Sequence, residues 1–94
     1  MILGFSETFS AMSDPTRRKI LTLLRHNRLS AGEIGKNFDI SNAAISYHLA
    51  QLKKADLIRE SKYKNFIYYE LNTSIFEELL LWLRQFEEGG RHEE

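Results

Sequence analysis

The chain has 94 residues, of which 43% are hydrophobic, and its 13 Lys and Arg side chains balance 13 Asp and Glu side chains. This size fits one small domain, whose core is marginal unless a partner chain helps to bury it. The absence of cysteine excludes a disulfide framework, a thiolate metal site and a cysteine nucleophile. No stretch is long and apolar enough to cross a bilayer, and residues 1–5 lack the basic start of a signal peptide, so we expect a cytoplasmic protein without membrane insertion.

The charges are distributed unevenly along the chain. Residues 1–70 carry 11 Lys and Arg against 7 Asp and Glu, a balance of +4, whereas residues 71–94 carry 2 against 6, a balance of −4. Such asymmetry is typical of a protein with one face toward a polyanion, although an ordinary surface with an acidic tail has the same composition.

A short first helix is predicted over residues 5–12, because Phe5, Phe9 and Met12 recur at the spacing of one helix face. So short a helix has little stability of its own. We therefore expect its apolar stripe to pack on another element.

A second helix is predicted over residues 15–26. Asp14 is a favourable N-cap, and Pro15 suits the first helical position, where no backbone donor is needed. The residues expected to be buried are Ile20, Leu21, Leu23 and Leu24. The basic opening turn, residues 17–19, opposes the preference of the helix dipole, which indicates a neighbouring phosphate or acidic group.

Ser30 and Glu33 form a capping-box pattern that predicts a third helix of about two turns. Residues 37–40 then form a turn that leads to Ser41, the expected N-cap of a fourth helix. Two helices joined by so short a linker are typical of a helix-turn-helix, here over residues 30–54.

The fourth helix, up to residue 54, separates an apolar face from a polar one. Ile45, Leu49 and Leu52 recur at helical spacing and predict the buried face. Small and hydrogen-bonding side chains, which can approach phosphates and base edges closely, occupy another face. These are Asn42, Ala43, Ser46 and Tyr47. A plain surface helix with one polar side has the same pattern, so the neighbouring elements decide between the two interpretations.

A β-hairpin is predicted over residues 57–71, because residues 57–61 and 66–71 are rich in β-branched, aromatic and aliphatic side chains. Its tip carries two lysines, Lys62 and Lys64. An isolated hairpin is marginally stable, so we expect this one to pack on the helices.

The last helix is predicted over residues 74–88 and is apolar around most of its circumference. One small core cannot bury so much apolar surface, so we expect this helix to pair with the first helix and with the same elements of a second chain. The expected homodimer interface uses residues 5–12 and 74–88, with Phe5, Phe9, Ile75, Leu79, Trp82, Leu83 and Phe86 as its contacts. A thicker core within one chain is the alternative.

A helix-turn-helix followed by a two-stranded hairpin is the order of elements in a winged helix. Three short sequence strings point to a particular family with this order. They are Ser-Asp-Pro-Thr-Arg-Arg at residues 13–18, Ile-Ser-Tyr-His-Leu at residues 45–49, and Phe-Ile-Tyr-Tyr at residues 66–69. In this order and spacing they resemble the ArsR family of bacterial transcriptional repressors over residues 9–86. Within the family, the chain is most similar to the SdpR-like autorepressors, which carry these strings without metal ligands. The resemblance implies one winged helix-turn-helix domain over residues 1–94, mostly α with a small β-hairpin.

The resemblance also implies a dimeric repressor or autorepressor that places the fourth helix of each subunit in successive major grooves of a pseudo-palindromic operator. It assigns contacts with base edges and nearby phosphates to Asn42, Ala43, Ser46 and Tyr47. It assigns contacts with the DNA backbone to Ser30, Ser41 and His48. It makes the hairpin of residues 57–71 the wing, and places the tip of this wing over the flanking minor groove through Lys62, Lys64 and Asn65. For His48 we expect a structural or phosphate-binding role, and no role as a ligand.

Metal sensors of this family use cysteines near the third helix, or a carboxylate and histidines along the last helix. Residues 29–33 contain no thiol. Thr73, Ile75 and Phe86 stand where last-helix ligands are expected, and none suits a tetrahedral zinc site. We therefore expect no metal site and no cofactor, which leaves regulation by a partner protein, by sequestration, by a small molecule at the dimer interface or by concentration alone.

Two other function classes are alternatives to a DNA-binding regulator. An enzyme would have to use His26, His48 or His92, but the sequence has no glycine-rich phosphate loop or nucleophile motif, so we expect no catalytic residues. A winged helix that binds protein through its hairpin or last helix, and does not bind DNA, is the second alternative. A salt-dependent gel shift on the protein's own upstream DNA separates this alternative from a regulator.

Overall fold

The winged helix-turn-helix prediction is confirmed by the computed structural model, which describes residues 5–91, with side chains as far as residue 87. The elements, in chain order, are α1 (Ser6–Met12), α2 (Pro15–Leu23), β1 (Leu29–Ser30), α3 (Ala31–Gly35), α4 (Asn42–Lys54), β2 (Ile58–Tyr63), β3 (Phe66–Leu71) and α5 (Thr73–Arg91). The described chain is therefore mostly helical, with one small antiparallel sheet.

Helix α2 begins as predicted and ends earlier. Asp14 Oδ2 accepts a hydrogen bond from the backbone N–H of Arg17 at 3.0 Å, which caps the helix. The predicted end at residue 26 is wrong: α2 ends at Leu23, and residues 25–27 are exposed. Another turn of these polar residues would bury no apolar surface, so nothing stabilises it. Leu23 is half-buried, whereas the other three residues predicted for this face lie in the core: Ile20, Leu21 and Leu24.

The basic opening turn of α2 pairs with backbone carbonyl groups of the chain itself. Arg17 Nε donates to the carbonyl oxygen of Ala11 at 2.8 Å, and Arg18 Nη1 donates to that of Met12 at 2.9 Å. These carbonyls end α1, where the helix dipole is negative and partners are missing. The two arginines therefore cap α1, and the Asp14 carboxylate interacts with the charge of Arg17, so an acidic neighbour is present as well.

The capping box predicted for α3 is present. Ser30 Oγ accepts from the N–H of Glu33 at 3.1 Å, and Glu33 Oε1 accepts from the N–H of Ser30 at 2.9 Å. The helix itself has only five residues and is shorter than the two turns predicted. It ends because the chain tightens into short-range turn bonds, such as that from the N–H of Asn37 to the carbonyl oxygen of Ile34 at 3.1 Å.

Strands β2 and β3 form the predicted hairpin, with Tyr63 opposite Phe66 at its tip. Lys64 lies in the left-handed region at φ 56°, as a tight turn requires. A third strand that was not predicted, β1, pairs with the other edge of β3 and gives the order β1-β3-β2, with Leu29 opposite Tyr69. A two-residue strand has no periodicity to detect, and its pairing depends on where the connection after α2 passes the sheet.

The core joins the helix-turn-helix to the base of the wing. Its most deeply buried large side chains come from α2, α3, α4, β2 and the residue before β2: Ile20, Ile34, Ile45, Leu52, Leu57 and Ile58. Because α4 and the wing share this core, their relative position is fixed by packing. The hairpin thus packs on the helices, as expected.

Candidate nucleic-acid interface

Helix α4 turns its small polar face away from the core. Ser41 Oγ accepts from the N–H of Ala44 at 3.1 Å and caps the helix as predicted. The predicted apolar face is buried, with Ile45 and Leu49 each 2% exposed and Leu52 fully buried. The four side chains predicted to project from the other face are all exposed: Asn42, Ala43, Ser46 and Tyr47. The structure therefore presents amide, methyl, hydroxyl and phenol groups along one face of a rigid helix.

Ser30 and Ser41 each cap a helix and retain a hydrogen-bond donor. Both hydroxyl oxygens accept a backbone N–H of their own helix. A serine hydroxyl has one donor besides its acceptor sites, so each O–H remains able to donate to an anion. Ser41 is exposed and Ser30 is half-buried. The two predicted backbone contacts are thus chemically compatible with the capping roles.

His48 is joined to α2 through Arg17. Arg17 Nη1 lies 3.1 Å from His48 Nδ1, and a guanidinium can only donate, so Nδ1 accepts and the ring proton is assigned to Nε2. Arg17 also binds the end of α1, so one side chain connects α1, α2 and α4. His48 thus forms a contact between α4 and α2, and its Nε2–H remains a donor. The role of Arg17 was not predicted, because these partners are 31 residues apart in sequence.

The wing tip carries the predicted polar and basic side chains at its surface. Lys62, Lys64 and Asn65 are all exposed. Phe66 and Ile67 are also exposed, at 59% and 47%, so the tip presents apolar as well as cationic groups.

Two ion pairs engage acidic side chains of the sheet. Lys53 Nζ lies 2.7 Å from Glu60 Oε2 and connects the end of α4 to β2. This hydrogen bond to the Glu60 carboxylate raises the pKa of Lys53 above its ordinary value. Arg59 Nε lies 3.5 Å from Glu70 Oε2 across the hairpin. These pairs leave the lysines at the tip without a carboxylate partner within residues 5–87.

The residues predicted for a dimer interface occupy two different environments. Ile75 and Leu79 are each only 7% exposed within one chain and pack toward its own core. Trp82, Leu83 and Phe86 are 39%, 46% and 62% exposed. Sequence periodicity does not separate these groups, because it detects apolar residues and not which of them the chain itself covers.

An aromatic cluster joins α1 to this exposed side of α5. The ring centroids of Phe5 and Phe9 lie 5.6 and 6.0 Å from that of Trp82, and the Phe86 ring lies 5.1 Å from Trp82. Phe9 remains 43% exposed, so the cluster does not bury its own rings completely. We call the exposed residues of this region the α1–α5 apolar surface: Phe9, Trp82, Leu83 and Phe86.

Neither a metal cluster nor a membrane span is found in the described part of the chain. Between residues 5 and 91, no group of three or more His, Cys, Asp and Glu side chains is arranged to hold a metal ion. Over the same residues, no helix is both long and apolar enough to cross a bilayer. His92 lies outside the described residues.

Comparisons with known proteins agree with this geometry. The family described as "Helix-turn-helix domain" matches residues 12–61. The transcriptional repressor SdpR of Bacillus subtilis is 44% identical over 90% of this chain and 94% of its own length. The transcriptional activator HlyU of Vibrio cholerae is 34% identical over 68% of this chain and 59% of its own length. Among solved structures, an ArsR-like transcriptional regulator from Rhodococcus sp. RHA1 superposes with a TM-score of 0.82 at 26% identity, covering 94% of this chain and 83% of that one. The chain therefore belongs to the ArsR family of winged helix-turn-helix proteins and is a DNA-binding transcriptional regulator rather than an enzyme.

Proposed function

We propose that this protein is a dimeric repressor, or autorepressor, in which residues 1–94 form one DNA-binding domain and α4 of each subunit enters the major groove of a pseudo-palindromic operator. The observation that carries the proposal is the exposed polar face of α4 beside a fully buried apolar one. Repression, rather than activation, is supported by the relative that shares 44% identity over nearly its whole length and is named a repressor.

The exposed side chains of α4 match the chemistry of base edges. The amide of Asn42 can pair with the donor and acceptor of an adenine edge, and the methyl group of Ala43 can contact that of thymine. Ser46 and Tyr47 add hydroxyl groups that donate or accept. These four residues supply sequence preference in the proposal.

A second group of residues holds the DNA backbone. Ser30, Ser41 and His48 each retain a donor suited to a phosphate oxygen. Lys62, Lys64 and Asn65 lie at the wing, over the flanking minor groove. Phosphate contacts are indifferent to sequence, so this group supplies affinity and salt dependence.

Dimerisation through α1 and α5 would give the protein the two-fold symmetry that a pseudo-palindromic operator requires. The exposed residues of the α1–α5 apolar surface do not stand singly, because the Trp82 ring contacts those of Phe9 and Phe86. A second copy of the same surface would cover it, as in an isologous two-fold interface. Two recognition helices would then reach half-sites about one turn of DNA apart, or roughly 34–36 Å.

The proposal includes no metal and no cofactor. Thr73, Ile75 and Phe86 lack groups that bind zinc at the positions where last-helix sensors carry ligands. Release from DNA then depends on a regulatory protein partner, a small molecule or protein concentration. The protein acts in the cytoplasm, without membrane insertion.

A binding titration tests this function. The DNA upstream of the protein's own coding region and a random-sequence duplex of equal length are titrated by gel shift at several salt concentrations. We expect tighter binding to the upstream DNA and a steep loss of affinity with salt on both duplexes. Wild-type protein that binds neither duplex refutes the proposal and favours a winged helix that binds only protein.

A further inference from the structure

We propose that Arg28 is an additional contact to the DNA backbone, held at the wing by the rings of Tyr63 and Tyr68. Its guanidinium carbon lies 4.9 Å from the centroid of the Tyr68 ring and 5.3 Å from that of Tyr63. Arg28 belongs to the connection between α2 and β1, outside the hairpin. The inference rests on the DNA-bound arrangement proposed above and adds a residue from outside the helix-turn-helix and the wing.

Strand pairing explains why both rings meet one side chain. Tyr68 lies opposite Ser61, and Tyr63 follows Ser61 by two residues, so the two tyrosines share one face of the sheet. On the other edge of β3, Ser30 lies opposite Tyr68, and Arg28 precedes Ser30 by two residues. The side chain of Arg28 therefore crosses this face toward the hairpin tip. The short strand β1 is what brings it there.

A second cation meets the same ring from the tip itself. Lys64 Nζ lies 5.3 Å from the centroid of the Tyr63 ring. Arg28 and Lys64 thus converge on one aromatic side chain from two separate segments of the chain. An aromatic face attracts cations but does not neutralise them, so the pair keeps its full positive charge.

The acidic side chains of β2 and β3 are each paired with another cation. Glu60 is paired with Lys53, and Glu70 with Arg59. Among residues 5–87, no ion pair joins Arg28 or Lys64 to an acidic side chain. Two cations that meet at one ring without an ion pair favour an anion, and beside a wing that binds DNA that anion is a backbone phosphate.

The tyrosines also prepare Arg28 for binding. A free arginine loses side-chain entropy when it binds, whereas a guanidinium already held on two rings has less to lose. Exposed cation–π contacts contribute an amount that corresponds to about a two- to fivefold change in affinity. Tyr63 and Tyr68 are therefore positioning residues, and Arg28 is the residue that touches DNA.

The test uses the whole chain and a fluorescently labelled random-sequence duplex, because a phosphate contact does not require the operator. Anisotropy titrations at several salt concentrations compare the wild type with Arg28→Ala, Arg28→Lys and Arg25→Ala. Arg25 is a matched control: it is exposed and lies in the same connection, and among the described residues no aromatic ring lies beneath it.

We expect Arg28→Ala to lower the salt slope by about two units, one contact of roughly 0.9 units in each subunit of a dimer. Arg28→Lys should keep the slope and lose about two- to fivefold in affinity, because it keeps the charge without the planar group that stacks. Arg25→Ala should leave both quantities unchanged.

A double-mutant cycle separates positioning from stability. Tyr63→Leu should weaken binding about two- to fivefold in the wild type and have a smaller effect in the Arg28→Ala background. Thermal unfolding of each variant identifies any loss of affinity that is caused by a less stable fold.

The outcomes that overturn the inference differ from those that overturn the proposed function. Equal losses for Arg25→Ala and Arg28→Ala would mean that general charge, not the held guanidinium, attracts DNA. A wild type that binds the duplex together with an unchanged slope for Arg28→Ala refutes the role of Arg28 alone. A wild type that binds no duplex refutes the proposed function.

Discussion

Two leucines four residues apart on α5 provide a test of the proposed dimer, because the same substitution should act differently at each. Leu79 is 7% exposed within one chain, and Leu83 is 46% exposed. Leu79→Ala therefore leaves a cavity in the protomer, whereas in the proposed dimer Leu83→Ala removes a contact with the second chain. Large-to-small changes at buried leucines cost about 2–5 kcal/mol of the free energy of unfolding. In a chain this small, that is a large part of the total stability.

The magnitude for Leu83 follows from its exposure. Full burial of a leucine side chain contributes about 1.5–3 kcal/mol, and nearly half of that surface is still open in the protomer, which leaves about 1 kcal/mol for the partner to supply. A two-fold interface contains the residue twice, so the dimer should lose about 2 kcal/mol. This corresponds to a dissociation constant of the dimer that is roughly 30-fold higher.

Sedimentation equilibrium and thermal unfolding at several protein concentrations separate the two effects. For Leu83→Ala we expect a weaker dimer and a loss of stability that grows on dilution, since association stabilises the folded chain by mass action. For Leu79→Ala we expect a loss of stability at every concentration. A wild type that is monomeric at micromolar concentration, or a Leu83→Ala dimer as tight as the wild type, contradicts this reasoning.

Three further predictions concern the DNA-binding face, the cap of α2 and metals. Tyr47→Ala should weaken the binding free energy by about 1–3 kcal/mol on the upstream DNA and by far less on random DNA, whereas Lys64→Ala should weaken binding to both DNAs by similar factors. Anisotropy titrations measure both affinities. Equal losses of affinity for Tyr47→Ala on the two DNAs would show that α4 does not supply specificity. Asp14→Ala should cost about 1 kcal/mol in urea unfolding at neutral pH. The hydrogen bond from the backbone N–H of Arg17 holds the pKa of Asp14 below its ordinary value. The stability difference between wild type and Asp14→Ala should therefore be fully present at pH values above the ordinary carboxyl pKa, and should disappear as pH falls through the lowered pKa of the folded state. A stability difference that persists in acid contradicts the assignment of Asp14 as a charged cap. Zinc should leave operator binding unchanged in gel shifts, and stoichiometric sub-micromolar binding coupled to DNA release would refute the absence of metal sensing.

Much of the fold was predictable because the signals that define it are local. The caps at Asp14, Ser30 and Ser41 each join atoms three residues apart, and such bonds depend on little beyond the sequence around them. The polar face of α4 follows from helical geometry once its apolar residues are recognised. Helix lengths were less predictable, because the last turn of α2 depends on whether apolar surface remains to be buried.

The sequence alone determined which side chains α4 carries on its polar face, since side-chain chemistry and helical period are properties of a short segment. Tertiary structure alone decided which distant groups meet. Arg17 joins His48 across 31 residues, and Arg28 lies on two rings of the hairpin because β1 pairs with β3. It also decided that Ile75 and Leu79 belong to the core of one chain while Leu83 and Phe86 remain exposed. The physical reason is that α5 is apolar around most of its circumference, so which of its residues are buried depends on where the neighbouring elements lie. Those positions are set by packing across the whole domain.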